Sequence, residues 1–135
     1  MVNSSVIIQH PDEFPIELQG LGADAHPRTS SSLQLRCHSS TPFHSGDTVL
    51  IKIPSVDSDM EVNGTVSSCQ DHPNGYKLDI SFANPDALMR IRMLEQLCYI
   101  QRYRRYVLSV EGRDLSTQDA ALEWIGRYAH LFPAA

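Results

Sequence analysis

A chain of 135 residues, 41% hydrophobic and 20% charged, has apolar material for one packed domain and too little length for two. A net charge of −5 argues against a general nucleic-acid binder, and no run approaches the roughly 18 apolar residues that a membrane-spanning helix needs. Three widely spaced cysteines and a start without a basic, apolar leader predict a cytoplasmic protein with free thiols at Cys37, Cys69 and Cys98.

Up to residue 83 the chain reads as short strands separated by turn signals. Residues 14–18 form the first run, ended by Gly20 and Gly22. Residues 33–37 alternate apolar and polar, the period of a half-buried strand. A turn at Ser45-Gly46-Asp47 precedes the β-branched run 48–53, which Pro54 should end because proline cannot donate to a ladder. Residues 60–66 make a fourth run. Pro73-Asn74-Gly75 is a tight turn, and residues 76–82 alternate again. Five or six short strands of this kind predict a small antiparallel barrel.

The period then changes to that of a helix. Asn84-Pro85-Asp86 is a start signal: a capping side chain, proline at the first helical position and a carboxylate on the positive dipole end. Leu88, Ile91, Leu94, Leu97 and Cys98 form one stripe, continued by Tyr99, Tyr103 and Val107 as far as Gly112. A second helix opens at Ser116, with Asp119 three residues on, and its expected buried face is Ala121, Leu122, Ile125, Tyr128 and Phe132. Trp124 beside that face is a further candidate anchor. The expected organisation is a strand-rich unit over residues 1–83 and a helical extension of the same domain over 84–135.

Charge is segregated along the chain. Residues 1–89 hold eleven acids and four bases, whereas residues 90–105 hold five arginines and one acid. Such a basic stretch meets either an anionic partner or the chain's own acidic half.

Catalytic motifs are scarce. Neither a G-x-S-x-G elbow nor a G-x-x-x-x-G-K-[ST] loop is present, and the sequence predicts a protein that is not an enzyme. Cys69 and His72 have ligand-like spacing, but a zinc site commonly needs two close pairs. The other neighbours, Cys37 and His38, point to opposite faces of a strand. No metal site is expected.

Residues 33–82 resemble the PilZ domain in the order and spacing of four features: Leu33-Gln34-Leu35-Arg36-Cys37, Ser45-Gly46-Asp47-Thr48-Val49-Leu50-Ile51, Val62-Asn63-Gly64-Thr65-Val66 and Gly75-Tyr76-Lys77-Leu78-Asp79-Ile80-Ser81-Phe82. The resemblance implies a six-stranded antiparallel barrel of bacterial cytoplasmic signalling. It further implies that cyclic di-GMP is the ligand of interest and that motility, pili or biofilm formation is the regulated behaviour. Typical members carry R-x-x-x-R before the first strand and D-x-S-x-x-G ahead of the next. Here no arginine precedes Arg28, and residues 27–32 align Pro27 with the acid, Thr29 with the serine and Ser32 with the glycine. Arg28, Thr29 and Ser32 therefore stand for a degenerate nucleotide site.

With that site eroded, the extension becomes the expected functional surface. Tyr99, Arg102, Tyr103, Arg104, Arg105 and Tyr106 mix tyrosine and arginine as interfaces do. Two expectations follow. In the first, the chain is an adaptor that meets a signalling or motility protein, or a second copy of itself, through the helices. In the second, it is a genuine cyclic di-GMP receptor that uses the Arg102–Arg105 cluster as a phosphate clamp. An OB-like nucleic-acid binder fits poorly with an acidic, aromatic-poor strand region, so DNA is not an expected partner.

Overall fold

The computed structural model describes residues 6–23 and 33–132. The strands are β1 (Val6–Gln9), β2 (Glu17–Ala23), β3 (Leu33–Ser39), β4 (Asp47–Ile53), β5 (Asp57–His72) and β6 (Gly75–Ser81). Helices α1 (Pro85–Glu111) and α2 (Thr117–Tyr128) follow, and a 3₁₀ turn over Ala129–Leu131 ends the described chain. The strands form one sheet in the order β1-β3-β6-β5-β4-β2.

Two features of the expected barrel are corrected. The sheet is mixed rather than antiparallel, because β1 runs parallel to β3, with Val6 opposite Leu33 and Ile8 opposite Leu35. It is also not closed: among the described strands, β1 and β2 stand at its two ends and do not pair with each other. The parallel strand β1 was not legible as a strand, since four residues give too short a pattern to reveal a period.

Other strand boundaries moved because pairing overrides local signals. Rather than stopping at Gly20, β2 runs on beside β4, absorbing the glycines in a bulge between Gly20 and Gly22. β5 is longer than its apolar run because it serves two neighbours. Its first half pairs with β4 and its second with β6, and Thr65 lies opposite both Thr48 and Ser81. Gly64 makes this crossing possible, for a Cβ there would lie 2.5 Å from Ile80 Cγ2 and 3.2 Å from the Phe82 ring.

The helix signals hold at both ends of α1. The Asn84 side chain accepts from the Ala87 N–H at 2.8 Å, and Gly112 closes the helix with φ 69°, its N–H donating to the Leu108 carbonyl. Ser116 caps α2 by accepting from the Asp119 N–H at 3.0 Å.

The helix α1 has two jobs along its length. Its first half lays Ala87, Ile91, Leu94 and Cys98 against the inner sheet residues Leu35, Cys37, Ile51, Val66, Leu78 and Ile80. Its second half offers Ile100, Tyr103 and Val107 to Ala120 and Trp124 of α2, forming a smaller core of its own. Tyr99 and Phe132 touch both clusters.

The expected face of α2 is corrected as well. Ala120 and Trp124 are buried, while Leu122 is 63% and Ile125 55% exposed. Apolar residues occur on both sides of this short helix, and the side that packs on α1 is the one carrying Ala120 and Trp124, which meet Ile100, Tyr103 and Val107. Trp124 is thus an internal packing residue.

Candidate functional site

The turn from α1 through the linker to α2 is built by charge and aromatic contacts. The Tyr103 hydroxyl donates to Glu123 Oε1 at 2.8 Å. Arg113 holds the same carboxylate with two guanidinium hydrogen bonds, at 2.8 and 3.1 Å, and reaches Glu111 at 2.9 Å. Those donors, Arg113 above all, hold the Glu123 carboxyl down to about 2. On the other flank, Arg104 Nε donates to the Leu115 carbonyl at 2.6 Å and so anchors the linker to α1.

Between the helices lies a cleft of about 380 Å³. Tyr103 meets Tyr128 edge-on at 5.7 Å, and Phe132 meets both Tyr99, at 5.3 Å, and Trp124, at 5.7 Å. Tyr106 and Leu131 complete the wall, and Arg102 stands at the rim, its Nε 3.5 Å from Glu13.

The six residues expected from sequence therefore divide. Tyr99, Arg102, Tyr103 and Tyr106 line this cleft. Arg104 is committed to the linker, and the Arg105 guanidinium lies 4.7 Å from the centre of the Phe14 ring, where a cation is attracted to the aromatic face. Arg28, Thr29 and Ser32 lie outside the described residues.

A second constellation is buried where the segment after β1 meets α1. His10 is 2% exposed and Glu95 is fully buried, with His10 Nδ1 2.7 Å from Glu95 Oε2. The other ring nitrogen, Nε2, is 2.6 Å from the Phe14 carbonyl oxygen. A carbonyl only accepts, so Nε2 carries a hydrogen. Burial opposes charge on His10, but the Glu95 hydrogen bond, the Glu95 charge and the Phe14 carbonyl together raise its pKa above 6.5. Glu95 Oε1 makes no hydrogen bond, and Cys98 lies one helical turn on, its thiol held above the ordinary range by burial and then by the Glu95 charge.

Sequence reasoning passed over this group. Glu95 falls between Leu94 and Cys98 on the buried stripe of α1, and a carboxylate in that position was the available signal. Cys69 and His72, whose spacing is ligand-like, stand three residues apart along β5, which places the two side chains on opposite faces. His72 instead lies beside His38, ring centres 4.5 Å apart, and His38 Nδ1 is 2.8 Å from Asp12.

No helix of the described chain is long and apolar enough to cross a membrane. Compared with known protein families, with characterised proteins and with solved structures, the chain finds no match.

Proposed function

We propose that this chain is a non-enzymatic adaptor of PilZ-like signalling type, which engages a protein partner through the α1–α2 hairpin. The carrying observation is where apolar surface is left uncovered. Among the described residues, Val6 and Leu21 are the strongly exposed large apolar side chains of the strands. The remainder lie on the helical part: Tyr106, Tyr128 and Leu131 line the aromatic cleft, and Leu122 and Ile125 are exposed elsewhere on α2. A concentrated apolar surface with a tyrosine-lined cleft and an arginine at its rim has the make-up of a binding hot spot.

The PilZ-like part of the reading is supported by the succession of β3 to β6, with turns at Gly46 and Gly75 in the expected order. The mixed pairing of β1 departs from it. A phosphate clamp made by residues 102–105 is the weaker reading, because Arg102, Arg104 and Arg105 turn to three different internal partners instead of converging.

The test is a photocrosslinking residue placed at Tyr106 and, separately, at Lys52 on the sheet. A discrete adduct from position 106 and none from position 52 is expected. Equal yields from both positions overturn the hairpin as the docking surface.

A further inference from the structure

Three metal-ligand side chains from two distant segments meet in the core. One donor atom each from His10, Glu95 and Cys98 lies within 4.8 Å of the others, and all three residues are buried. We propose that this cluster is a structural site for a borderline divalent cation, Zn²⁺, which clips the segment after β1 to the middle of α1.

The chemistry of the donors supports the assignment. A nitrogen, a carboxylate and a thiolate are the ligand types that zinc accepts together. The Nε2–H hydrogen bond to the Phe14 carbonyl fixes the tautomer that leaves Nδ1 as the coordinating atom, as the supporting groups of histidine ligands do. Glu95 and Cys98 are three apart on α1, so they project from adjacent positions of one face.

The carboxylate also has a coordination position to spare. Oε2 is engaged by His10, but Oε1 is fully buried and makes no hydrogen bond, which is costly for a group carrying full or partial negative charge. A cation beside Oε1 satisfies it. Ligands bound tetrahedrally at about 2.0–2.3 Å lie roughly 3.3–3.8 Å apart. Nδ1 and Oε2 therefore separate by about 1 Å as the proton between them leaves.

Charge balances in the low-dielectric core. Without metal, His10 and Glu95 share one proton and carry no net charge, and Cys98 is a neutral thiol. Binding of Zn²⁺ releases two protons, one from between His10 and Glu95 and one from Cys98, leaving a neutral imidazole, a carboxylate and a thiolate around the ion. The ion's two positive charges then match two negative ligands. Because the donors are enclosed, loading accompanies folding.

The test unfolds the full chain in urea with a thiol-preserving reductant and refolds it with Co²⁺ as a spectroscopic substitute, then with Zn²⁺. One equivalent of Co²⁺ should be retained after desalting, with a sulfur-to-cobalt absorption band in the near ultraviolet, and Zn²⁺ should displace it and raise the melting temperature. Cys98→Ser should abolish the band and weaken Zn²⁺ retention by at least about 100-fold, more than the loss of a merely supporting group. Cys69→Ser should keep both. Trp124 fluorescence reports whether each variant has folded. A wild-type protein that refolds without retaining Co²⁺ overturns the proposal. So does a band that survives in folded Cys98→Ser, or retention lost on His38→Ala or His72→Ala instead, which would place the ion at the surface histidines. If Cys98→Ser does not fold, a band kept in both Cys69→Ser and Cys37→Ser assigns the thiolate to Cys98 by elimination, and a band lost in either overturns the proposal.

Discussion

The Tyr103 hydroxyl and the Glu123 carboxylate are joined by a 2.8 Å hydrogen bond that ties the middle of α1 to α2 beside the only tryptophan. Arg113 reads the same carboxylate from the linker side. The hairpin is thus held in shape by one acid that accepts three hydrogen bonds.

That acid makes the hairpin sensitive to low pH. The Glu123 carboxyl is depressed from its ordinary 4.5 to about 2, so its contribution is present above pH 4.5 and lost as pH falls towards 2. Trp124 emission followed from pH 6 to 2 should show a transition in this window before global unfolding. Glu123→Gln should abolish the pH-dependent step, and a variant that titrates like wild type refutes the assignment.

The arginines of α1 should behave individually. Arg102 is exposed and its contact with Glu13 is long, so Arg102→Ala should change stability by less than about 0.5 kcal/mol while weakening partner binding. Arg104→Ala should cost about 1 kcal/mol, since a linker carbonyl loses its donor, and Arg105→Ala about 0.5–1 kcal/mol with the loss of the Phe14 contact. Urea denaturation of the three single variants checks the ranking. Equal effects would mean that the three side chains share one role.

Two core positions should be far more costly. Leu94→Ala removes a fully buried side chain facing the sheet and should cost about 2–5 kcal/mol. Gly64→Val places a branched side chain against Ile80 and Phe82 and should cost about 1–3 kcal/mol or more. Denaturant midpoints at unchanged slope measure both, and a tolerated valine would mean that β5 and β6 do not approach as closely as described.

Cyclic di-GMP should bind no tighter than tens of micromolar by calorimetry. Losing a charge-assisted clamp costs a few kcal/mol, and each 1.4 kcal/mol is a factor of ten. Submicromolar binding would favour the receptor reading, and Arg28→Ala beside Arg102→Ala would then locate the ligand.

Much of the local structure was written in the residues themselves. The caps at Asn84 and Ser116, the stop at Gly112, the turn at Gly75, the alternating strands β3 and β6 and the β-branched strand β4 follow from short-range rules of hydrogen bonding, side-chain period and strand propensity, and each stands where those rules put it. The tyrosine–arginine segment was likewise legible as a candidate surface.

Tertiary structure alone decided what lies opposite what. Whether β1 pairs at all, how far β5 extends, and whether α2 buries Leu122 or Trp124 depend on partners remote in sequence, which no window of neighbours encodes. The same holds for His10 and Glu95, 85 positions apart in the chain and hydrogen-bonded at 2.7 Å in the fold. A histidine before a proline and a glutamate on a helix look like surface residues one at a time. Only the fold, by removing water from both, turns them into a pair that must neutralise each other or share an ion.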